Sequence, residues 1–166
     1  ELTTPSSRRI DGIDPELGNK YFEGKLEKIK LCIACHQGCF GRFFQNKDIS
    51  YTVSLACGSE RSYALMSTET TKKIMVVDGG LDGMEAATVC AIRGHVVDRL
   101  KKDKLGGVFI AAAALEFNED DKRLIEWYKC QIKKLDIHFH LNIEVTKVMT
   151  EGYDEIFVVT GATEKK

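Results

Sequence analysis

Short apolar runs alternate with helix-forming segments in the second half of the sequence, and this pattern predicts strands separated by helices. Lys73 to Val77 is a β-branched, apolar run that predicts a buried strand, and a helix-forming segment follows at 84–93. Gly94 is placed to end that helix. Because strands separated by helices favour a parallel sheet, the pattern predicts an α/β fold. Further strands are predicted at 95–100, 137–141 and 155–159.

A second helix is predicted after Asn118, which is a suitable N-cap residue. The acidic run 119–121 follows it and places negative charge at the positive end of the helix dipole. Apolar residues then recur at helical spacing, so one face of this helix is expected to pack on the core. These apolar residues are Leu124, Tyr128, Ile132 and Leu135.

The first seventy residues lack this alternation. Pro5 and Pro15 indicate a loop-like lead-in, and 16–30 predicts short helical pieces interrupted by glycine. Residues 31–66 are rich in cysteine, glycine and aromatic residues without a sustained helical period, so another group is expected to organise them. The sequence is therefore divided into a lead-in, a cysteine-rich segment and an α/β domain, at 1–30, 31–70 and 71–166.

Composition narrows the function classes. Lys and Arg number 24 against 25 Asp and Glu, which gives a net charge of −1, and no basic stripe is present to bind nucleic acid. The longest apolar runs, such as 108–115, are far shorter than the roughly 20 residues of a membrane-spanning helix, and no signal pattern precedes them. We therefore expect a soluble, cytoplasmic chain with neither a nucleic-acid nor a membrane partner.

A glycine-rich turn between the first strand and its helix is the arrangement that brings backbone N–H groups to a pyrophosphate. A Gly-x-Gly-x-x-Gly pattern would occupy positions 78, 80 and 83, but the first position is Asp78. A carboxylate there would face a diphosphate at close range, which costs binding energy. The motif by itself leaves two alternatives open, a nucleotide site and a phosphate-free turn.

Four cysteines lie within a short stretch: Cys32, Cys35, Cys39 and Cys57. The first three form a Cys-x2-Cys-x3-Cys pattern, a density of thiols that suits an iron–sulfur cluster or zinc. Cys57 is the remaining local thiol and is the candidate fourth ligand, while free thiols are the alternative. Cys90 and Cys130 lie on predicted helices and are expected to be buried structural thiols.

An ordered series of motifs resembles the NADH:flavin oxidoreductases of the old yellow enzyme class that carry extra domains, such as 2-enoate reductase, 2,4-dienoyl-CoA reductase, trimethylamine dehydrogenase and the bile-acid oxidoreductases. The similarity covers roughly residues 14 to 163. The motifs that carry it lie at 32–42, 56–58, 73–87, 103–107 and 153–162.

This resemblance implies an iron–sulfur segment followed by a partial Rossmann-like, FAD-binding parallel sheet, with 1–30 similar to the end of an FMN-binding TIM barrel. In that family electrons pass from NAD(P)H through FAD and a [4Fe-4S] cluster to FMN, which reduces an activated carbon–carbon double bond. The FMN and NAD(P)H sites would lie on domains outside this chain, and these domains are the implied partners. Exposed apolar surface on a partial sheet also suggests an oligomer.

The resemblance also assigns roles to residues. Gly79, Gly80 and Gly83 would let the backbone approach the FAD pyrophosphate, Gly106 and Gly107 would line the flavin side, and Thr160 and Gly161 would close the pocket. Cys32, Cys35 and Cys39 would hold iron, with Cys57 as fourth ligand. No catalytic residue is assigned, and the isolated chain is not expected to be catalytic.

The sequence departs from the family pattern in four places, and two of them replace a residue that a cofactor site needs. Asp78 replaces a glycine of the turn, and Tyr51 stands where the family carries its fourth cluster cysteine. Three hypotheses follow: an electron-transfer module that is incomplete or degenerate, a cofactor-free scaffold, and a zinc-binding module.

Overall fold

A computed structural model describes residues 13–77, 80–101, 105–115, 118–141, 143 and 145–161. The chain forms two compact units. The described residues of the first unit fall within 13–64 and 119–127, and those of the second fall within 65–118 and 128–161.

The second unit contains a four-stranded parallel sheet in the order β3-β2-β1-β4. This architecture confirms the α/β expectation. The β2 strand begins one residue later than predicted because the His95 amide donates to the Cys90 carbonyl at 3.1 Å and so closes the preceding helix. The strands are β1 (Lys73–Val77), β2 (Val96–Lys101), β3 (Ile137–Leu141) and β4 (Glu155–Val158).

In its described residues, the first unit contains three short helical pieces, of which the two within 16–30 are predicted from the sequence and the one at Phe40–Phe43 is not. They are α1 (Leu17–Phe22), a 3₁₀ helix (Leu26–Lys28) and α2 (Phe40–Phe43). Asp14 organises the start of this unit because its buried carboxylate accepts hydrogen bonds from Lys20 Nζ at 2.7 Å and from the Lys30 amide at 3.1 Å. In the segment 31–64, by contrast, Val53 is the only buried residue.

The helix α3 (Leu81–Ile92) starts three residues earlier than predicted, directly after Gly80 as its N-cap. It ends as expected: Gly94 has a φ of 92° and its amide donates to the Ala91 carbonyl at 3.0 Å. Together with the bond from His95 to Cys90, this is the Schellman arrangement of a helix C-terminus. Met84 and Ala87 face the core of the unit, where Met75 and Val76 of β1 are also fully buried.

The helices between β2 and β3 are α4 (Phe109–Ala113), which the sequence pattern does not predict, and α5 (Glu119–Lys134), which it does. Asn118 precedes α5 but does not cap it with its side chain, because its amide group donates to the Ala112 carbonyl at 2.6 Å. Leu124, Tyr128 and Ile132 are buried as expected, and Leu135 is half-buried.

Cys90 of α3 is buried, as expected, whereas Cys130 of α5 is exposed. The expectation for Cys130 was wrong because this position falls on the solvent side of an amphipathic helix. A 3₁₀ helix (Lys147–Thr150) lies between β3 and β4. Within the described ranges, none of the helices has the length and apolar character needed to cross a membrane.

Candidate functional site

Three of the four predicted metal ligands line one pocket in the first unit. Tyr51 lines the same pocket, whereas Cys57 is not among its lining residues in the described chain. The role of Cys57 as fourth ligand therefore stays a prediction. Burial raises the pKa of the Cys57 thiol, and the negative charge of Glu60 raises it further. The pocket is lined by Cys32, Ile33, Cys35, His36, Gly38, Cys39, Tyr51, Thr52 and Val53.

The cysteine loop turns back on itself through two left-handed residues, Ala34 at a φ of 52° and His36 at 57°. Non-glycine residues seldom adopt this conformation, so the loop around them must hold it in place. The turn brings the Ala34 amide to within 3.3 Å of Cys32 Sγ, to which it donates. The Gly41 amide donates to the His36 carbonyl at 2.9 Å. An amide directed at sulfur favours the thiolate form that binds metals.

Gly38 joins the cysteine loop to the segment that carries Tyr51. The Ser50 amide donates to the Gly38 carbonyl at 2.9 Å, and a Cβ atom on Gly38 would lie only 2.5 Å from the Ser50 carbonyl oxygen. No larger residue fits this contact without a shift of the backbone. The close approach is what allows Cys39 and Tyr51 to line one pocket.

The thiols of Cys32, Cys35 and Cys39 are three suitable ligands for an iron–sulfur cluster. Cys35 Sγ lies 3.2 Å from Thr52 Oγ1, which adds a second hydrogen bond to the thiols. Thiols spread around the wall of a pocket can hold a group of several atoms, and soft thiolate sulfur is the ligand that iron–sulfur clusters take. Among the described residues, no group of three His, Cys, Asp or Glu side chains has an arrangement suited to a single metal ion.

The second unit places two predicted glycine loops in contact. Gly80 caps α3, and a Cβ atom on Gly107 would lie 3.1 Å from the Gly80 Cα atom. Gly106 is buried, and both Gly106 and Gly107 have positive φ angles, of 111° and 54°. Gly83 is buried in the first turn of α3. The turn after β1 and the loop after β2 thus form one glycine-lined surface.

These loops lie at the carboxyl ends of the strands, beside the point where the strand order reverses. The chain runs from β1 to β2 and β3 on one side, and β4 pairs with β1 on the other. The Val159 amide donates to the Val77 carbonyl at 3.1 Å, so Thr160 and Gly161 follow directly beside the end of β1. Gly161 has a φ of 73°. Open α/β sheets bind nucleotides at such a switch point, so this edge of the sheet is the candidate position for a nucleotide.

Gly79 of the predicted site and the neighbouring Asp78 lie outside the described residues. A buried cation that sequence reasoning missed lies beside the turn: Arg99 is 1% exposed, and its Nη2 donates to the Gly80 carbonyl at 3.4 Å. Its guanidinium also lies 5.9 Å from the ring centre of Phe139. A charged residue in the middle of an apolar strand is the signal that could have identified it.

A second missed feature is the buried carboxylate of Asp98 on β2. It accepts hydrogen bonds from Tyr153 Oη at 2.7 Å and pairs with His138 Nδ1 at 3.0 Å, and Lys73 Nζ lies 3.6 Å away. Burial raises the pKa of Asp98, but these hydrogen bonds and the positive charge of Lys73 outweigh burial and leave the pKa below its usual value. Burial and Asp98 together raise the pKa of Tyr153 to about 12. The cluster connects β2 with β3 and with the segment before β4.

No protein-family model matches the chain. Two proteins with assigned functions are similar along most of it. The cinnamate reductase of Clostridium sporogenes is 39% identical over 153 residues, which is 90% of this chain and 23% of that protein. The metal reductase of Desulforamulus reducens is 34% identical over 156 residues, again 90% of this chain and 23% of that protein.

Among solved structures, 2-naphthoyl-CoA reductase in complex with 2-naphthoyl-CoA matches with a TM-score of 0.89 and 35% identity. The match covers 95% of this chain and 25% of the reductase. The chain thus spans about a quarter of the length of the proteins it resembles.

Proposed function

The chain belongs to the multidomain NADH:flavin oxidoreductases of the old yellow enzyme class, and we propose that it is an electron-transfer segment of such an enzyme. In this proposal it carries electrons from NAD(P)H toward the reduction of an activated carbon–carbon double bond, of the enoate or dienoyl type. The similarity to a cinnamate reductase supports this substrate class.

The observation that carries the proposal is the pocket that Cys32, Cys35 and Cys39 share. These thiolates would hold an iron–sulfur cluster, with the Ala34 amide and the Thr52 hydroxyl as hydrogen-bond partners of the sulfurs. Because the segment 31–64 has almost no buried apolar side chains of its own, a bound cluster would also supply the cross-links that hold it together.

The second part of the proposal is an FAD site at the switch point of the sheet. Gly80 and Gly107 would allow the pyrophosphate to approach the backbone, because neither presents a side chain at their contact. The amino terminus of α3 would direct its N–H groups at the phosphates. Gly79, Gly83, Gly106, Thr160 and Gly161 complete the proposed set, although Asp78 would oppose the negative diphosphate. When bound, flavin exchanges electron pairs with nicotinamide and single electrons with iron–sulfur clusters.

FMN and NAD(P)H would bind to domains other than those described here. We propose that such domains are the partners of this segment, whether in the same or in another polypeptide. The protein residues at the two sites do not transfer protons or attack a substrate in this proposal. They bind the cofactors, orient them and limit the access of water.

Anaerobic reconstitution tests the proposal. The full chain would be treated with iron, sulfide and FAD, freed of excess reagents, and measured by visible absorbance, iron and acid-labile sulfide assays, and released flavin. We expect broad absorbance typical of an iron–sulfur cluster and retained flavin. A colourless protein that binds stoichiometric zinc instead would support the zinc-binding module.

Matched serine variants test whether the cysteines of the pocket bind the iron. Cys39→Ser should lower the iron content and the visible absorbance, because it removes a thiol from the pocket. Cys130→Ser is the control, since this exposed cysteine lies on α5 and does not line the pocket. Equal iron content in the two variants, or neither iron nor flavin in the parent chain, would contradict the proposal.

A further inference from the structure

Part of the wall of the three-cysteine pocket carries no thiol. Its wall is formed by two segments, 32–39 and 51–53, and the second segment contributes no sulfur. A cubane cluster has four iron corners, each of which needs a ligand from outside the cluster. Three thiols can satisfy three corners, so the chemistry of the fourth corner depends on the other side chains of the wall.

Three of those side chains carry a nitrogen or oxygen donor. The Thr52 hydroxyl pairs with Cys35 Sγ at 3.2 Å, so it already acts as a partner of a thiol. The His36 ring is exposed and packs beside Phe40, with ring centres 5.5 Å apart. Tyr51 is half-buried, and the bond between Ser50 and Gly38 holds its segment against the cysteine loop.

We propose that the site holds its cluster through three thiolates only, with the fourth corner facing Tyr51 and open to exchange of ferrous iron. This inference rests on the proposed function, because it presupposes that the three cysteines bind an iron–sulfur cluster. A phenol is a hard oxygen donor and a weak ligand for soft sulfide-bridged iron, so the fourth iron is held less firmly than the other three. The site therefore takes a three-iron cluster under oxidising conditions and accepts Fe²⁺ once the cluster is reduced.

The iron balance is simple. A [3Fe-4S]⁺ cluster takes one electron from dithionite and becomes [3Fe-4S]⁰. Uptake of one Fe²⁺ then gives [4Fe-4S]²⁺ without further change in electron count. No bond to protein sulfur forms or breaks in this exchange, because Cys32, Cys35 and Cys39 keep their irons throughout.

Electron paramagnetic resonance distinguishes the two cluster types, since a three-iron cluster is paramagnetic when oxidised and a four-iron cluster in its resting oxidised state is silent. We expect the reconstituted full chain, after mild oxidation, to show the three-iron signal. Dithionite followed by Fe²⁺ should remove that signal and raise the iron content by about one atom per cluster.

Substitution at Tyr51 provides the decisive comparison. Tyr51→Cys should supply a fourth thiolate, abolish the oxidised-state signal and raise the iron-to-sulfide ratio. Tyr51→Phe should keep the three-iron signal, since it leaves all three thiols in place. Circular dichroism would show whether Tyr51→Cys folds. If it does not fold, Tyr51→Phe still tests the proposal.

Two further variants identify competing ligands. If the parent chain is silent when oxidised and Cys57→Ser makes it paramagnetic, Cys57 is the fourth ligand and the inference is overturned while the proposed function stands. If the parent chain is silent when oxidised and His36→Ala makes it paramagnetic, His36 is the fourth ligand and the inference is likewise overturned. If neither the parent chain nor the Tyr51→Cys variant retains iron, the proposed function itself fails.

Discussion

Among the second-unit glycines Gly94, Gly107, Gly152 and Gly161, Gly107 leaves the least room for a side chain. Its φ of 54° is left-handed, and an added Cβ atom would lie 3.1 Å from Gly80 Cα. We expect Gly107→Ala to lower the free energy of unfolding by about 1 to 2 kcal/mol through backbone strain. The close contact should add about 1 to 3 kcal/mol. Urea denaturation followed by circular dichroism measures the sum.

Gly152 supplies the control for this substitution. Its φ is 85°, but nothing lies within 4 Å of the position its Cβ atom would take. Gly152→Ala should therefore show the strain alone. Flavin retention should also fall in Gly107→Ala and persist in Gly152→Ala. Equal loss of stability in the two variants would show that the Gly80 contact does not constrain the loop.

Asp98 makes the stability of the second unit dependent on pH. Its pKa is lowered in the folded state, so the ionised carboxylate stabilises the fold above the ordinary aspartate value of about 4, and this contribution is lost as the pH falls through the lowered pKa. We expect Asp98→Asn to cost about 1 to 3 kcal/mol at pH 7, because its buried hydrogen bonds to Tyr153 and His138 are weakened. Urea denaturation at pH 7 and pH 3 should show that the difference shrinks in acid.

Glu155→Gln is the matched control for Asp98. Glu155 forms an exposed ion pair with Lys72 at 2.8 Å, and such exposed pairs contribute little to stability. The control should therefore change stability little at either pH. If the difference in free energy of unfolding between Asp98→Asn and the parent chain is the same at pH 7 and pH 3, the ionised carboxylate of Asp98 does not stabilise the fold as proposed.

Among the helices, α3 has the best-defined end, and Gly94 is the residue that makes it. Its φ of 92° allows the amides of Gly94 and His95 to bond to the last carbonyls. Gly94→Ala should lower the free energy of unfolding by about 1 kcal/mol, because alanine is strained in the left-handed region. Thermal and urea denaturation provide the measurement. Gly94→Asn should lower the free energy of unfolding by less, since asparagine tolerates this conformation. An equal loss in the two variants would show that left-handed strain at position 94 is not the cause.

The elements with strong hydrophobic periodicity were predictable. The strand at β1 and the amphipathic α5 follow from local patterns, which reflect the same burial that forms the core. The alanine-rich α4 was missed because its apolar run has no polar face to reveal a helical period. The N-cap position of α5 was predicted correctly at Asn118, but its side chain bonds to the Ala112 carbonyl and does not cap the helix, a contact that residue preference does not encode.

The two parts of the candidate site could be predicted from the sequence to different extents. The shared pocket of Cys32, Cys35 and Cys39 follows from their spacing, since residues so close in sequence lie on one loop. The contact between Gly80 and Gly107 required the strand order, because the two loops are joined only through the fold. Arg99 and Asp98 were missed as buried charges because their partners lie on other strands or in the turn after β1.

Over the whole molecule, local stability should depend on iron in one unit and not in the other. The segment 31–64 contains one buried residue, whereas the sheet of the second unit has a buried core. Chelation of iron from the reconstituted chain should therefore speed amide hydrogen exchange in 32–58 and leave exchange in β1 and β2 unchanged. Mass spectrometry of peptides from holo and chelated protein measures this. Uniform acceleration across both units, or none in 32–58, would contradict the regional dependence.

The position of β4 beside β1 also sets the order in which the sheet assembles. The Lys73 amide bonds to Asp154, 81 residues further along the chain, and pairings of such long range form slowly because they close large loops. In stopped-flow refolding, Ile156→Ala in β4 should mainly speed unfolding, whereas Val97→Ala in β2 should slow folding. The reverse result would place β4 in the folding nucleus. We expect the proposed nucleotide site to be the last part of the sheet to form, so that cofactor binding would begin only when the second unit is complete.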